Sequence, residues 1–422
     1  MKENAVQMRY SKSGNVDVSP SYSGEHIRES DISITFGGDK SGFQLVVIEN
    51  GDSEFENNIE PFPSLSEIGP ASPLGLMIKI KTNSETETVS ASSGFSIRDL
   101  EAVIEKKIGD FVDQISGVSH QHIRDKIVIQ VSKETVGKGL TFEDLAEVLE
   151  SFIIEEFPFV AAVSVQIMTD EASVQKALEK AREVYAERDR RALSLHDEDV
   201  PVFYGCRICQ ISSPTHVCVI TPDRPSVCGT INWFEAGASF LSNPNGSSFQ
   251  IEKGELTDDS GGEYSGVSKA IAVESGGETD RLLLYSLIEN PHTTGSVFDI
   301  IAFYIPEFGG IGLIDREFKK QAVNCLSFEE MMIFTGYGQQ ISGFSGIGEM
   351  YMLSDKFFQK EGGWENVIWI SSSLKKRILE KIKLLSDRPK ADKLIRRISA
   401  IPTENEAENL KELEPYCKEK RQ

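Results

Sequence analysis

The sequence predicts a mixed α/β chain of the α+β class: an N-terminal sheet-and-helix domain, then a domain built round a group of cysteines. Three observations lead there. Short β-branched runs alternate with stretches of helical period between about residues 30 and 195. Four of the six cysteines fall within residues 206–228, in an apolar stretch rich in turn residues. The 422 residues, 39% hydrophobic and 26% charged, suffice for two or three domains with proper cores. The expected divisions are a loose leader at 1–25, an α+β domain at 26–198, a cysteine domain at 199–386 and a charged helical tail at 387–422.

Each element has its own signal. Residues 1–25 are polar and rich in Ser and Gly, which predicts the leader. Asp31–Phe36 and Gln44–Ile48 read as strands around a Gly37-Gly38 turn. Asn50–Glu67 is acidic and carries Pro61 and Pro63, so a loop is expected. Gly75–Lys81 is a short strand, followed by a polar connection, Thr82–Ser93. Ser96 and Asp99 supply a capping box to a helix in which Leu100, Val103, Ile104, Ile108, Phe111, Val112 and Ile115 recur at helical spacing. Lys126–Val131 is a strand, Thr141 and Asp144 cap a helix running through Phe152, and Phe159–Ile167 is a β-branched strand. Asp170 to about Leu195 is a long helix rich in Lys, Arg and Glu.

The second half is more broken. Ile231–Phe240 is apolar, and the Gly-, Ser- and Asp-rich residues 242–280 read as turns or a surface excursion. Leu282–Ile288 has the length and composition of a buried strand. Pro291–Ser296 reads as a turn and Val297–Tyr304 as an apolar segment. Ile311–Ile314, Met350–Leu353 and Asn366–Ile370 read as short strands, and Ser372–Leu385 as an amphipathic helix. Thr335–Gly348 carries five glycines without the spacing of a GxGxxG motif or a P-loop, so it reads as a turn-rich floor of the cysteine pocket.

A net charge of −22 and a pI near 4.8 argue against a nucleic-acid groove or an anionic membrane surface, since either needs a concentrated basic face. Protein surfaces and small molecules are the expected partners. The N-terminal residues have no apolar core that would mark a signal peptide, and no run approaches the length of a membrane span. Clustered cysteines suit a reducing compartment, and the expected location is the cytoplasm.

The chemistry centres on Cys206, Cys209, Cys218 and Cys228, spaced C-x2-C-x8-C-x9-C. Four thiolates complete the shell of one zinc ion or of a 4Fe–4S cluster. Structural zinc modules usually pair two short knuckles, and here the second pair is stretched to nine intervening residues. A wide all-thiolate set suits the separated corners of a cluster better than one ion, so the spacing favours iron–sulfur over zinc, and both over a disulfide pair. Pro214, Pro222 and Pro225 keep the intervening loops from becoming helix, and Val217, Val219 and Ile220 surround the third thiol. A buried loop cage is expected.

These segments carry a resemblance. FYGCRICQ, PTHVCVITPDRPSVCG with INWF after it, IEKGEL, ENPHT, FYIPE, GFSGIG, GGWENVIW and, upstream, VYAERDRRALSLHDEDV together resemble acetyl-CoA synthase, in the form of the archaeal β subunit of the CO dehydrogenase/acetyl-CoA synthase complex. The likeness spans roughly residues 20–400. As in that form, the long N-terminal domain of bacterial enzymes is not expected. The resemblance implies a 4Fe–4S cluster on Cys206, Cys209, Cys218 and Cys228, with Cys209 matching the thiolate that bridges to a proximal nickel. It also implies acyl transfer in which a corrinoid iron–sulfur protein or other protein subunits and coenzyme A take part.

The sequence departs from that family at the nickel site. The family's P-H-T-S-C-G-C-F reads PHTTGSVF, so Gly295 and Val297 stand where two nickel-binding cysteines belong. Neither offers a donor atom. Ser212 falls where bacterial relatives have a shielding aromatic. The implied cofactor is therefore the 4Fe–4S cluster without nickel. The implied function is C1 or acyl transfer at that cluster, with a non-catalytic paralogue whose cluster is structural as the alternative.

Other residues have two readings each. His216 could orient a ligand, and such a residue is more often a satisfied loop group. His292 could do acid–base work beside the altered tripeptide, and a turn role is favoured. His120 and His122 are expected at a helix end on the surface, Cys325 in the core, and Cys417 as a thiol of the tail. Arg188, Arg190 and Arg191 could grip a phosphate of coenzyme A, and a solvated helix face is the favoured reading.

Overall fold

The computed structural model describes residues 74–82 and 97–418, with breaks at 113–114, 116, 124–125, 158, 212, 243, 296, 336–337 and 386–390, and three strand segments before them at 32–37, 44–49 and 58–59. The expected leader at 1–25 lies outside the described residues, as does most of the expected loop at 50–67. The fold is mixed α/β. It divides into residues 1–185 and 186–422, within the long helix Glu171–Ala192, thirteen residues before the change in composition near Asp199.

In the first unit the strands are β1 (Ile32–Gly37), β2 (Gln44–Glu49), β3 (Asn58–Ile59), β4 (Gly75–Thr82), β5 (Val118–Ile123), β6 (Lys126–Val131) and β7 (Val160–Met168). They make a four-stranded sheet in the order β2-β4-β7-β3 and a three-stranded antiparallel sheet in the order β1-β6-β5. β4 pairs with β2 parallel and with β7 antiparallel, so the first sheet is mixed. Two helices bury apolar stripes, Ile97–Val112 and Phe142–Glu156, and their Phe111 and Phe152 rings stack at 4.1 Å. Thr141 and Asp144 form the expected capping box: the Asp144 amide donates to the Thr141 hydroxyl and the Thr141 amide to the Asp144 carboxylate.

Two sequence expectations fail here. His120 and His122 do not flank a helix end; they lie on β5, opposite Ile129 and Ile127 of β6. The polar alternation V-S-H-Q-H-I hides a strand whose ladder is made by its partner. Within the expected loop, Asn58–Ile59 extends the main sheet parallel to β7 at Gln166 and Ile167.

The second unit carries β8 (Val202–Cys206), β9 (Cys218–Ile220), β10 (Ser248–Glu252), β11 (Leu256–Asp258), β12 (Glu263–Tyr264), β13 (Ile300–Ile305), β14 (Gly310–Asp315), β15 (Phe344–Ile347) and β16 (Val367–Ile370). An antiparallel sheet in the order β10-β8-β9 holds the first and third cysteines. A four-stranded sheet in the order β15-β13-β14-β16 forms the other wall of one continuous core. β16 joins β14 in parallel, and Trp369 is fully buried there between Phe303 and Phe318.

Three expectations are corrected in this unit. Residues 242–280 are not an excursion: they contain β10 and the helix Ser265–Glu274, whose Val267 and Ile271 are buried. The alternation of buried Phe249 and Ile251 with exposed Gln250 and Glu252 is the period-2 signal that the surrounding Gly and Ser diluted. Leu282–Ile288 is buried but is not a strand. Its backbone bonds go elsewhere: the Tyr285 amide donates to the Gly261 carbonyl at 2.9 Å, and the Leu284 carbonyl accepts from the Arg224 side chain and the Tyr351 hydroxyl. Met350–Leu353 belongs to a 3-10 turn, Glu349–Leu353, in which the Tyr351 amide donates to the Gly348 carbonyl.

Residues beyond 387 do more than form a charged tail. The helices Ala391–Ser399 and Leu410–Lys418 bury Ile398, Leu413 and Cys417, and the Trp369 indole donates to the Ala407 carbonyl. Among the described residues no helix is long and apolar enough to cross a membrane.

Candidate metal centre

The cage is assembled by short pieces of backbone. Cys206 ends β8 and Cys218 begins β9, and the two face each other in antiparallel register. Cys209 sits in the 3-10 turn Ile208–Ile211, and Cys228 at the end of the tight segment after β9. Cys206 and Cys218 are buried, whereas Cys209 and Cys228 are half-buried; none of the six cysteines is in a disulfide. The four sulfurs act on one another: burial pushes the Cys218 thiol well up, and Cys206, Cys228 and then Cys209 push it further. Cys228 Sγ lies 2.9 Å from the Thr230 hydroxyl and 3.4 Å from that of Ser226. Among the described residues no group of three or more His, Cys, Asp or Glu side chains is arranged to hold a metal ion.

Arg207, between the first two cysteines, locks the knuckle. Its guanidinium makes a bidentate pair with Glu274 at 2.5 and 2.6 Å and lies 4.1 Å over the Phe249 ring. The Gln210 amide donates to the His216 carbonyl and, more weakly, to the Glu274 carbonyl. The cysteine loop is thereby tied to the helix Ser265–Glu274.

The segment Pro291–Val297 runs along the cage. The Thr293 hydroxyl donates to the Val217 carbonyl and accepts from the Val217 amide, both at 3.2 Å. His216 Nδ1, 2.9 Å from that hydroxyl, must then be the donor, which leaves Nε2 as a bare acceptor. Nε2 is buried and has no partner, and burial holds the ring neutral, its pKa pushed down to about 4. The favoured sequence reading of His216 as a satisfied loop group is thus only half met. His292 is satisfied on both sides: Nδ1 donates to the Thr293 carbonyl at 3.0 Å and Nε2 accepts from the Val219 amide at 3.0 Å. Burial first, then the Arg224 charge, holds its pKa well below the usual value, so it is a neutral positioning group.

Gly295 is buried against the face of the His216 imidazole. A Cβ built there would lie 3.0 Å from Nε2 and 3.3 Å from both flanking carbons, which places it over the ring plane. Any side chain at 295 therefore requires the imidazole to move by a few tenths of an ångström. Gly338, at φ +79°, closes the other side, where a Cβ would stand 2.2 Å from the His216 amide nitrogen. The Thr294 amide donates to the Gln339 carbonyl at 2.8 Å, so the glycine-rich stretch does floor the cage. Ser212 and Ser296 lie outside the described residues.

The other candidates separate from the cage. Arg188 is buried, and Arg191 stacks 3.8 Å over Phe234, so neither belongs to a solvated helix face; Arg190 alone is exposed. Arg190 lines a cavity of about 760 Å³ with His196, Phe357, Trp364, Lys393 and Arg397 that contains none of the four cysteines. Cys325 is half-buried with its Sγ 3.5 Å from the Met331 sulfur.

Sequence reasoning missed the carboxyl pair behind the cage. Asp197 and Asp223 each accept from the other's backbone amide, at 2.8 and 2.9 Å. The Tyr285 hydroxyl donates to Asp197 and the Ser354 hydroxyl to Asp223. Burial, then the neighbouring Asp223, raises the Asp197 carboxyl to about 7. Its folded pKa exceeds its unfolded one, so its contribution is full below pH 3.8 and is lost as pH rises towards 7. Asp197→Asn should remove a pH-dependent stability change on the order of 4 kcal/mol across that window. Urea titrations at a series of pH values check this, and an unchanged slope for the variant would rule out Asp197 as its source.

Fold and site together define a cysteine-cage protein of mixed α/β class. The chain belongs to the family of the CO dehydrogenase/acetyl-CoA synthase complex beta subunit, whose N-terminal part matches residues 15–174 and whose C-terminal part matches residues 185–422. It is similar to the acetyl-CoA decarbonylase/synthase complex subunit beta of Methanothermobacter thermautotrophicus, 39% identical over 407 residues covering 96% of this chain and 84% of the relative. Subunit beta 1 of Methanosarcina mazei is 38% identical over 412 residues, covering 96% and 82%. Two solved structures of the C-terminal domain of the acetyl-coenzyme A synthase alpha subunit, one of them a mutant, align with 29% of this chain and with 90% and 89% of theirs, at 26% and 24% identity and a TM-score of 0.25.

Proposed function

We propose that this chain is an acetyl-CoA synthase-type iron–sulfur protein. Its Cys206, Cys209, Cys218 and Cys228 hold a 4Fe–4S cluster, and it serves C1 or acyl transfer without a dinickel centre. The observation that carries this reading is the contrast between the two halves of the site. Four mutually interacting thiols are gathered on one side. On the other, Gly295 and Val297 offer no donor, and the His216 ring stands where a side chain at 295 would go. Thiolates suit an iron–sulfur cluster, and buried polar atoms without partners, Ser213 Oγ and Thr294 Oγ1 among them, suit a group that accepts hydrogen bonds. The residues present do not suit a nickel pair. A corrinoid iron–sulfur protein or other members of such a complex, with coenzyme A, are the proposed partners.

One observation favours a second reading, a non-catalytic protein with a structural cluster that assembles with or regulates its partner. Both nitrogens of His292 are already bonded, and His216 is neutral and sealed, so neither histidine is free to move a proton. Anaerobic metal and sulfide analysis tests the shared core. We expect about four irons and four sulfides per chain, with nickel well below one. Two nickel ions with CO exchange into acetyl-CoA would overturn the reading, as would a colourless protein holding zinc. Acetyl transfer from a methylated corrinoid protein by the nickel-free form separates the two readings.

A further inference from the structure

Between the third and fourth cysteines lies Arg224, and it is almost completely buried, 1% exposed. Its Nε donates to the Leu284 carbonyl at 3.0 Å, Nη2 to the Ser345 hydroxyl at 3.3 Å, and its guanidinium lies 4.8 Å from the centre of the Tyr351 ring. All these partners are neutral. Nη1 is buried with no partner at all, and among the described residues no carboxylate pairs with the group. A guanidinium cannot shed its proton in a protein, so a buried one needs a counter-charge or costs several kcal/mol.

The groups that bear on it electrostatically are Tyr351, Cys218, Tyr285 and, last, Asp197. The two tyrosines are phenols held neutral by burial, and Asp197 is the weakest of the four. The remaining group is the sulfur of Cys218. The Arg224 charge also reaches both histidines of the cage, His216 and His292. A cation without an anion thus stands at the inner wall of a cage whose four thiolates would give an iron–sulfur cluster net negative charge.

We propose that Arg224 is the internal counter-ion of the cluster, with its unpartnered Nη1 turned to the thiolate–sulfide shell, and that its charge sets the cluster's reduction potential. This rests on the cluster proposed above. One-electron reduction adds negative charge to the cage, so a fixed cation beside it favours the reduced form. Removing that cation lowers the potential.

The test is an anaerobic dye-mediated redox titration of the iron-loaded full chain, followed by electron paramagnetic resonance, for the wild type, Arg224→Gln and Arg224→Lys. Arg224→Gln should shift the reduction equilibrium at least tenfold towards the oxidised form, 59 mV for one electron. Arg224→Lys, which keeps the charge, should stay within threefold of wild type. An iron-loaded Arg224→Gln within threefold of wild type overturns the proposal. Thermal unfolding supplies the second measurement. As a counter-ion, Arg224 stabilises the iron-loaded form only, so Arg224→Gln should unfold at a lower temperature than wild type with iron, and no lower once a chelator has stripped it. Equal losses in both forms, or an unfolded stripped variant, would make Arg224 a packing residue and sink the idea. A wild type without iron would instead refute the cluster itself, a distinguishable result.

Discussion

Cys218→Ser should strip the protein of its cluster, lowering iron and acid-labile sulfide at least tenfold, while Cys228→Ser should keep a measurable fraction of both. The asymmetry follows from where each sulfur is mounted. Cys218 opens β9 directly opposite Cys206, and both are buried in a sheet whose register leaves no slack. Every other thiol of the cage bears on Cys218. A hydroxyl at that position is a poor ligand for iron and cannot be replaced by a neighbour swinging in. Cys228 ends a turn, is half-buried, and has the Thr230 and Ser226 hydroxyls close to its sulfur. Oxygen donors and backbone play can compensate there in part. Anaerobic iron and sulfide assays on both variants check the contrast, and equal iron contents would contradict the mounting described.

Gly346→Ala should destabilise the second unit by about 3 kcal/mol, a large loss for the addition of one methyl group. A Cβ at 346 would lie 1.9 Å from Cδ1 of Phe298, and the ring has nowhere to retreat. Phe298 is fully buried, its ring edge-on to Phe344 at 6.1 Å, and its carbonyl accepts from Arg316 at 2.8 Å. Because Phe298 directly follows the segment 293–297, relief of the overlap would displace the loop that lies against His216. The variant should therefore unfold at lower denaturant concentration and lose iron faster than wild type. Chemical denaturation and chelator-driven iron release measure the two effects. A midpoint unchanged from wild type would mean that Phe298 is not the rigid anchor described.

Much of this was legible in the residues, for identifiable reasons. Helices with a capping box or a clean apolar stripe, such as Phe142–Glu156 and Ser372–Leu384, were read to within a few residues because their signals are local. The cysteine spacing marked the cage because thiolate ligands cannot be replaced by other residue types. What escaped the sequence depends on partners far along the chain. Leu282–Ile288 has the composition of a strand, and only Arg224, Tyr351 and the Gly261-Gly262 turn decide that its backbone bonds go elsewhere. β5 is polar enough to look like a connection, and its identity comes from β6. The Asp197–Asp223 pair is invisible without the fold, since its members are 26 positions apart and each bonds the other's amide. Arg224 was passed over for the same reason: a lone arginine in a turn reads as surface until its burial is known.

The walls of the cage are contributed late. All four thiols are encoded by residue 228, but β13, β14 and β15 follow only at Ile300–Ile347, and the last strand of that sheet ends at Ile370. At ribosomal rates of about 5–20 residues per second, roughly ten to thirty seconds separate Cys228 from Trp369. For that interval the nascent chain displays naked sulfhydryls with no shelter. Oxygen or a stray heavy metal then has its easiest access to them, so a cell making this protein must keep its translating ribosomes, and not merely the finished molecule, under reducing conditions.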